Sequence, residues 1–231
     1  PKSDFFPSCI NETLEIVIER VGQEVSVHGE IFSPFSQFLE LLNYEAALMG
    51  LLMDPGKCHA CLDALTEGTI ELGILEAECG AEAVLISSAF AGSGFISREF
   101  YDEFVLPYEK RVIEGIKTKK EVPVYTHTCG GIGDRLDLMI ETGTQGIDTL
   151  DPPPLGNTVL SEAKAQIGDQ IFIKGNMNSV ELLAAQTKED VIAHATDRIL
   201  TGKPGGGYIL STACSVSPRM EPWKLELLVP L

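Results

Sequence analysis

Positive charge is scarce in this chain. Lysine and arginine total 17 against 34 aspartates and glutamates, a formal net charge of −17. A surface this acidic repels nucleic acid and anionic membranes, so neither is an expected partner. Long apolar runs are also missing. None reaches the roughly 18 residues that a bilayer span needs, and the opening PKSDFFPSC does not resemble a secretory signal. A cytoplasmic protein is the expectation. Six cysteines in 231 residues are too few for a disulfide scaffold and are read as reduced thiols. No G-x-G-x-x-G follows the first apolar strand, which weakens a dinucleotide-binding reading. No low-complexity segment or linker divides the chain, so residues 1–231 are read as one domain.

What is present is a recurring unit: helix, glycine, short apolar strand, polar turn. LEIVIERVGQEVSVHG predicts a helix to about Val21 and a strand from Val25 to His28. The unit returns with a strand at Ala83 to Ile86 after Gly80, and again around Gly143, Gly168 and Gly202. Glycine just past a helix end takes the left-handed conformation that other residues resist. A further strand is expected at Val122 to Thr126. Helix starts are marked by Asp54-Pro55, by Ser97 ahead of REFYDEFVLPYEKRVIEGI, and by Thr187 ahead of KEDVIAHATDRIL. Short apolar strands separated by helices predict a parallel sheet covered by helices. Two architectures fit, an open doubly wound sheet or most of a (β/α)8 TIM barrel. In the barrel reading the first one or two βα units are missing, and EPWKLELLVPL closes the chain inside a helix.

Chemistry concentrates in VPVYTHTCGG. Residues i and i+2 of a strand share a face, so His127 and Cys129 point the same way at a strand's C-terminal end. Barrel enzymes keep their active sites at that end. Imidazole plus thiolate suits Zn²⁺. A catalytic zinc needs a third ligand, and Cys214, at the end of the last strand in GGGYILSTACSV, is the candidate. Glu30, in VSVHGEIFSPF, is a candidate fourth, displaceable ligand. Glu30 and Asp151 are the candidate catalytic carboxylates, and Asp148 and Asn176 the candidate cofactor or substrate contacts. Plainer readings stand beside these. His127 and Cys129 can be core residues of a buried strand, and Asp148, Asp151 and Asn176 can be loop caps. The C-x-x-C of KCHAC, Cys58 to Cys61, is read as helix packing. His28 shares a face with Glu30 and is a lesser candidate for the barrel mouth.

The runs VYTHTCGGIGDRLDLMIETGTQGIDTLDPP, IFIKGNMNSVELL and GGGYILSTACSV resemble the uroporphyrinogen decarboxylase superfamily. More closely they resemble its zinc methyltransferase branch, which includes methylcobamide:coenzyme M methyltransferases. SPF near Pro34, MDPGK near Pro55 and FVLPY near Pro107 fit the same pattern. The resemblance implies a (β/α)8 barrel and a His-x-Cys … Cys zinc motif at His127, Cys129 and Cys214. It also implies methyl transfer between a corrinoid (methylcobamide), carried by a corrinoid protein, and a small thiol or methylated substrate. In that branch zinc either lowers the pKa of a thiol or polarises the heteroatom of a methylated substrate. Two alternatives stay open: a metal-free decarboxylase-like lyase, and a non-catalytic module that binds a corrinoid or its carrier. A homo-oligomer is a further expectation.

Overall fold

The computed structural model describes residues 6–229. The first five residues of PKSDFFPSC and the last two of EPWKLELLVPL lie outside the described residues. Six strands form one sheet: β1 His28–Phe32, β2 Ala83–Ser87, β3 Val124–Thr128, β4 Gly146–Thr149, β5 Phe172–Met177 and β6 Tyr208–Thr212. The helices are α1 Glu12–Val21, α2 Pro34–Leu42, α3 Tyr44–Met53, α4 Pro55–Glu78, α5 Arg98–Phe104, α6 Leu106–Lys119, α7 Leu136–Glu141, α8 Leu160–Ile167, α9 Ser179–Ala184, α10 Lys188–Gly202 and α11 Pro222–Glu226.

The strands run β1-β2-β3-β4-β5-β6 in space, all parallel. A doubly wound sheet reverses its order at a switch point. This one never reverses, so the barrel alternative is the one adopted. Among the described residues β1 and β6 each pair on one side only, and the barrel does not close.

The helices cover one face. Ile31, Val84, Ile86 and Val124 of the sheet pack on Val112, Ile113 and Ile116 of α6. Ile147 and Ile173 pack with Leu136, Met139, Leu160 and Ile167. Contact is tight where glycine permits it. A Cβ on Gly73 of α4 would lie 2.5 Å from the Ile116 Cδ1. The other face of the sheet is the concave interior, and it carries the polar side chains.

Asp54, Ser97 and Thr187 cap α4, α5 and α10 as expected, their side chains accepting from Lys57, Phe100 and Asp190 N–H. Three boundaries move. The first strand begins at His28 rather than Val25, because the chain after α1 turns back on itself and the Val25 N–H bonds the Val21 carbonyl. The third strand spans Val124–Thr128, two residues later than expected, since Pro123 has no N–H to give a ladder. The single helix expected after Ser97 is two, broken at Val105. Pro107 lacks the N–H that would bond the Glu103 carbonyl and clashes with it.

The glycine rule holds at Gly80 and Gly143, with φ of +110° and +82°. It fails at Gly22, whose φ is −64°. It fails also at Gly168, which keeps helical φ, and at Gly202, which ends α10. Those two are small for packing reasons. A Cβ would lie 2.6 Å from the Lys164 carbonyl at Gly168 and 2.4 Å from the Tyr208 ring at Gly202.

Candidate metal centre

Strand β3 delivers His127, and the turn after it delivers Cys129. Gly130 then turns at φ +79°. Cys129 is held closely from behind, where a Cβ on Gly92 would meet its carbonyl oxygen at 2.3 Å. Cys214 follows β6. The His127 Nε2 lies 3.2 Å from the Cys129 sulfur, and that sulfur lies 3.7 Å from the Cys214 sulfur. One ligand atom from each of the three residues falls within 4.8 Å of the others. Tetrahedral zinc sets its ligand atoms about 3.8 Å apart for two sulfurs and about 3.6 Å for sulfur and nitrogen. The donor set and its spacing therefore fit such an ion.

The imidazole is oriented from behind. Its Nδ1 faces the Thr149 hydroxyl at 2.7 Å and Asp148 Oδ2 at 3.3 Å, which leaves Nε2 for the sulfurs. Strand register explains the arrangement. His127 pairs with Asp148, and Asp148 with Lys174, so the three form one row across β3, β4 and β5. Lys174 Nζ donates to Asp148 Oδ2 at 3.1 Å. Thr149 is buried at φ +98°, a region that β-branched residues rarely enter. Such a conformation costs about 1–3 kcal/mol and persists where the surroundings enforce it. Here that conformation accompanies a hydroxyl held against His127.

The electrostatics favour one shared thiolate. Cys214 is lowered by hydrogen bonding first from Cys129 and then from His127, while Cys129 is pushed up by Cys214 and by burial. Burial opposes charge on His127. Asp148 and then Cys214 outweigh it and raise the imidazole to about 9.

Glu30 and Asp148 line the same cavity of about 440 Å³ as His127, Cys129, Lys174 and Cys214. Glu30 stands in the middle of β1 and outside the group of converging ligand atoms. Asp151 is buried behind Cys129. Its Oδ2 accepts the Gly130 N–H at 2.7 Å, and its Oδ1 has no partner. Burial raises its pKa, with the Gly130 bond opposing. Asn176 is not among the residues lining the cavity. Its amide donates to the Leu150 carbonyl and its oxygen accepts from Arg198, so its polar atoms are used within the protein. His28 begins β1, at the end away from the site, where it meets Tyr125 and Ser26. Placing the strand too early had put it near the mouth. Cys58 is buried and Cys61 exposed on α4, away from the cluster. Sequence reasoning missed Lys174 and Thr149. The signal for Lys174 was there, as a lysine two residues after Phe172 in an otherwise apolar run, IFIK, of a parallel strand.

Residues 6–231 match the sequence profile of the family described as uroporphyrinogen decarboxylase (URO-D). The chain belongs to the uroporphyrinogen decarboxylase family. Within this family it is similar to proteins of two activities. It is 28% identical over 220 residues to the methylcobamide:CoM methyltransferase MtbA of Methanosarcina acetivorans, covering 95% of this chain and 61% of that protein. It is 31% identical over 189 residues to the uroporphyrinogen decarboxylase of Thioalkalivibrio sulfidiphilus, covering 80% of this chain and 51% of that protein. The chain thus spans about half to two thirds of these relatives. A solved methyltransferase from Methanosarcina mazei shares the fold, with a TM-score of 0.82 at 19% identity, over 97% of this chain and 66% of that one. Members of the family named here are enzymes, and both activities lie at similar distance.

Proposed function

We propose that this chain is the metal-binding part of a zinc-dependent methyltransferase. It would move a methyl group between a corrinoid, held by a corrinoid protein, and a small thiol or methylated substrate. The observation that carries this reading is the convergence of Cys214 with His127 and Cys129, two thiols and an imidazole at zinc-ligand spacing. Zinc held there supplies a Lewis acid that lowers the pKa of a thiol or polarises a substrate heteroatom.

The chain's own residues prepare that site. Asp148 and Thr149 fix the imidazole with Nε2 forward, and a histidine ligand held in this way binds metal more tightly. Lys174 balances the Asp148 charge, so the carboxylate is not left uncompensated beside the sulfurs. Asp151 holds the Gly130 N–H and so the turn that carries Cys129. Glu30, which lines the same cavity, would be the carboxylate that meets the substrate there.

The relatives also support a second reading, a metal-free decarboxylase. The cavity lining favours the first. Among the described residues its one lysine or arginine is Lys174, already paired with Asp148, and Glu30, His127 and two thiols line the rest. That is a poor match for a porphyrinogen bearing many carboxylates.

The deciding experiment measures zinc content and methyl transfer from methylcobalamin to a panel of thiols, for the wild-type chain and Cys214→Ala. About one zinc per chain, lost in the variant, with transfer that follows the zinc, supports the methyltransferase. A folded, zinc-free chain that decarboxylates a porphyrinogen refutes it. As to location, no helix among the described residues is long and apolar enough to cross a membrane, and a cytoplasmic site of action belongs to this same proposal.

A further inference from the structure

A second cavity, of about 400 Å³, adjoins the metal centre on the far side of Cys129. The two cavities share Ala89 and Cys129 in their walls. Three loops at the C-terminal ends of β2, β3 and β4 build the second one. They contribute Ser93 and Phe95, then Cys129 and the glycines after it, then Leu155 and Asn157.

The loops are locked together. The Ser93 N–H donates to the Gly131 carbonyl at 2.8 Å, and the Gly133 N–H donates to Asn157 Oδ1 at 2.9 Å. Gly131 lets the loops approach closely, since a Cβ there would lie 2.3 Å from the Ser93 hydroxyl oxygen and force that side chain to move. The Asn157 carbonyl oxygen is thereby occupied, while its NH₂ and the Ser93 hydroxyl have no side-chain or backbone partner among the described residues. Phe95 and Leu155 lie in this wall about half exposed, at 46% and 52%. Phe95 is set edge-on against Phe90, ring centroids 5.4 Å apart, so its position is defined.

Among the described residues the wall carries no aspartate, glutamate, lysine, arginine or histidine side chain. The Asp151 carboxylate accepts the N–H of Gly130 in this wall, and a Cβ on Gly156 would lie 2.6 Å from the Asp151 Cβ. A negative group entering here would meet no cation, an anionic neighbourhood and a protein of net charge −17. A neutral polar group would find the Asn157 NH₂, the Ser93 hydroxyl and an apolar ring.

We propose that this cavity binds the tail of the sulfur substrate and selects a small uncharged tail, such as an amide, a hydroxyl or a short alkyl group, over an anionic one. The inference rests on the metal-site reading above, because it places the reacting sulfur at the shared Cys129 wall.

The test is calorimetric titration of the zinc-loaded 231-residue chain with three thiols, their affinities corrected for thiol ionisation. Methanethiol, which has no tail, reports the metal site. 3-Mercaptopropionamide and 3-mercaptopropionate differ in tail charge at nearly equal size. The amide is expected to bind at least tenfold more tightly than the carboxylate, and Asn157→Lys to narrow that ratio to within threefold. Equal or tighter binding of the carboxylate by the wild type, or an unchanged ratio in Asn157→Lys, overturns the proposal while leaving the metal site standing. Failure of all three thiols to bind overturns the metal-site reading and this inference with it.

Discussion

The sulfurs of Cys129 and Cys214 lie 3.7 Å apart although 85 residues separate them in the chain. In a flat sheet, strands three steps apart are about 14 Å from each other. The curvature of β3 to β6, and the turns that follow them, bring the two thiols together over the concave face. The convergence of these two thiols with His127 is therefore a consequence of sheet curvature as much as of residue choice.

Removing one sulfur removes the site. Cys214→Ser leaves His127 and Cys129 as a two-ligand set. Bound zinc, measured by atomic emission after dialysis, should fall from about one per chain to a small fraction of that, while circular dichroism stays native. Retention of a full equivalent of zinc counts against Cys214 as a ligand.

Asp148 acts through His127. Asp148→Asn keeps the shape but weakens the hold on Nδ1 and leaves Lys174 without its charge partner. Zinc affinity should drop about 10- to 100-fold, as measured by competition with a chromophoric chelator. An unchanged affinity would show that Thr149 alone orients the ring.

Buried Glu109 makes stability fall with rising pH. Burial, opposed by hydrogen bonds with Ser88 and Tyr101, raises its carboxyl from 4.5 to about 7. The sign follows from proton counting. Between those values the unfolded chain has released a proton that the folded protein keeps, so its contribution is complete below pH 4.5 and lost as pH rises through about 7. The loss is about 3 kcal/mol. In urea titrations across this range, Glu109→Gln should gain stability relative to wild type by roughly that amount. Parallel pH curves for the two proteins would rule it out.

Arg135 ties two loops of the mouth. It is fully buried, and it donates to the carbonyls of Ala91 and Ile96 on the β2–α5 loop while pairing with Asp134 on its own. Arg135→Met orphans both carbonyls, at about 1–3 kcal/mol each. The melting temperature should fall by several degrees, and zinc affinity should fall with it because Gly92 of the same loop backs Cys129. A variant as stable as wild type would show that the loop holds its shape unaided.

Much of this protein was legible in its sequence because the signals are local. Apolar runs separated by helices specify parallel strands, and Asp54, Ser97 and Thr187 mark helix starts through hydrogen bonds three residues long. The shared face of His127 and Cys129 follows from the period of a strand. Errors arose where neighbours interfered. Pro107 split a helix that its apolar pattern had joined, and Pro123 delayed the start of β3. The family resemblance anticipated the barrel, and the strand order then excluded the doubly wound alternative.

The sequence by itself determined the alternation of elements, the turn glycines and the identity of the donor atoms, since backbone sterics and side-chain chemistry act over a few residues. Tertiary structure alone decided which donors meet. Cross-strand register set Asp148 between His127 and Lys174. Curvature delivered Cys214 and left Glu30 on the wall. Packing among three loops opened a second cavity beside Cys129. Distances between residues far apart in the chain depend on how whole layers pack, and no local pattern encodes them.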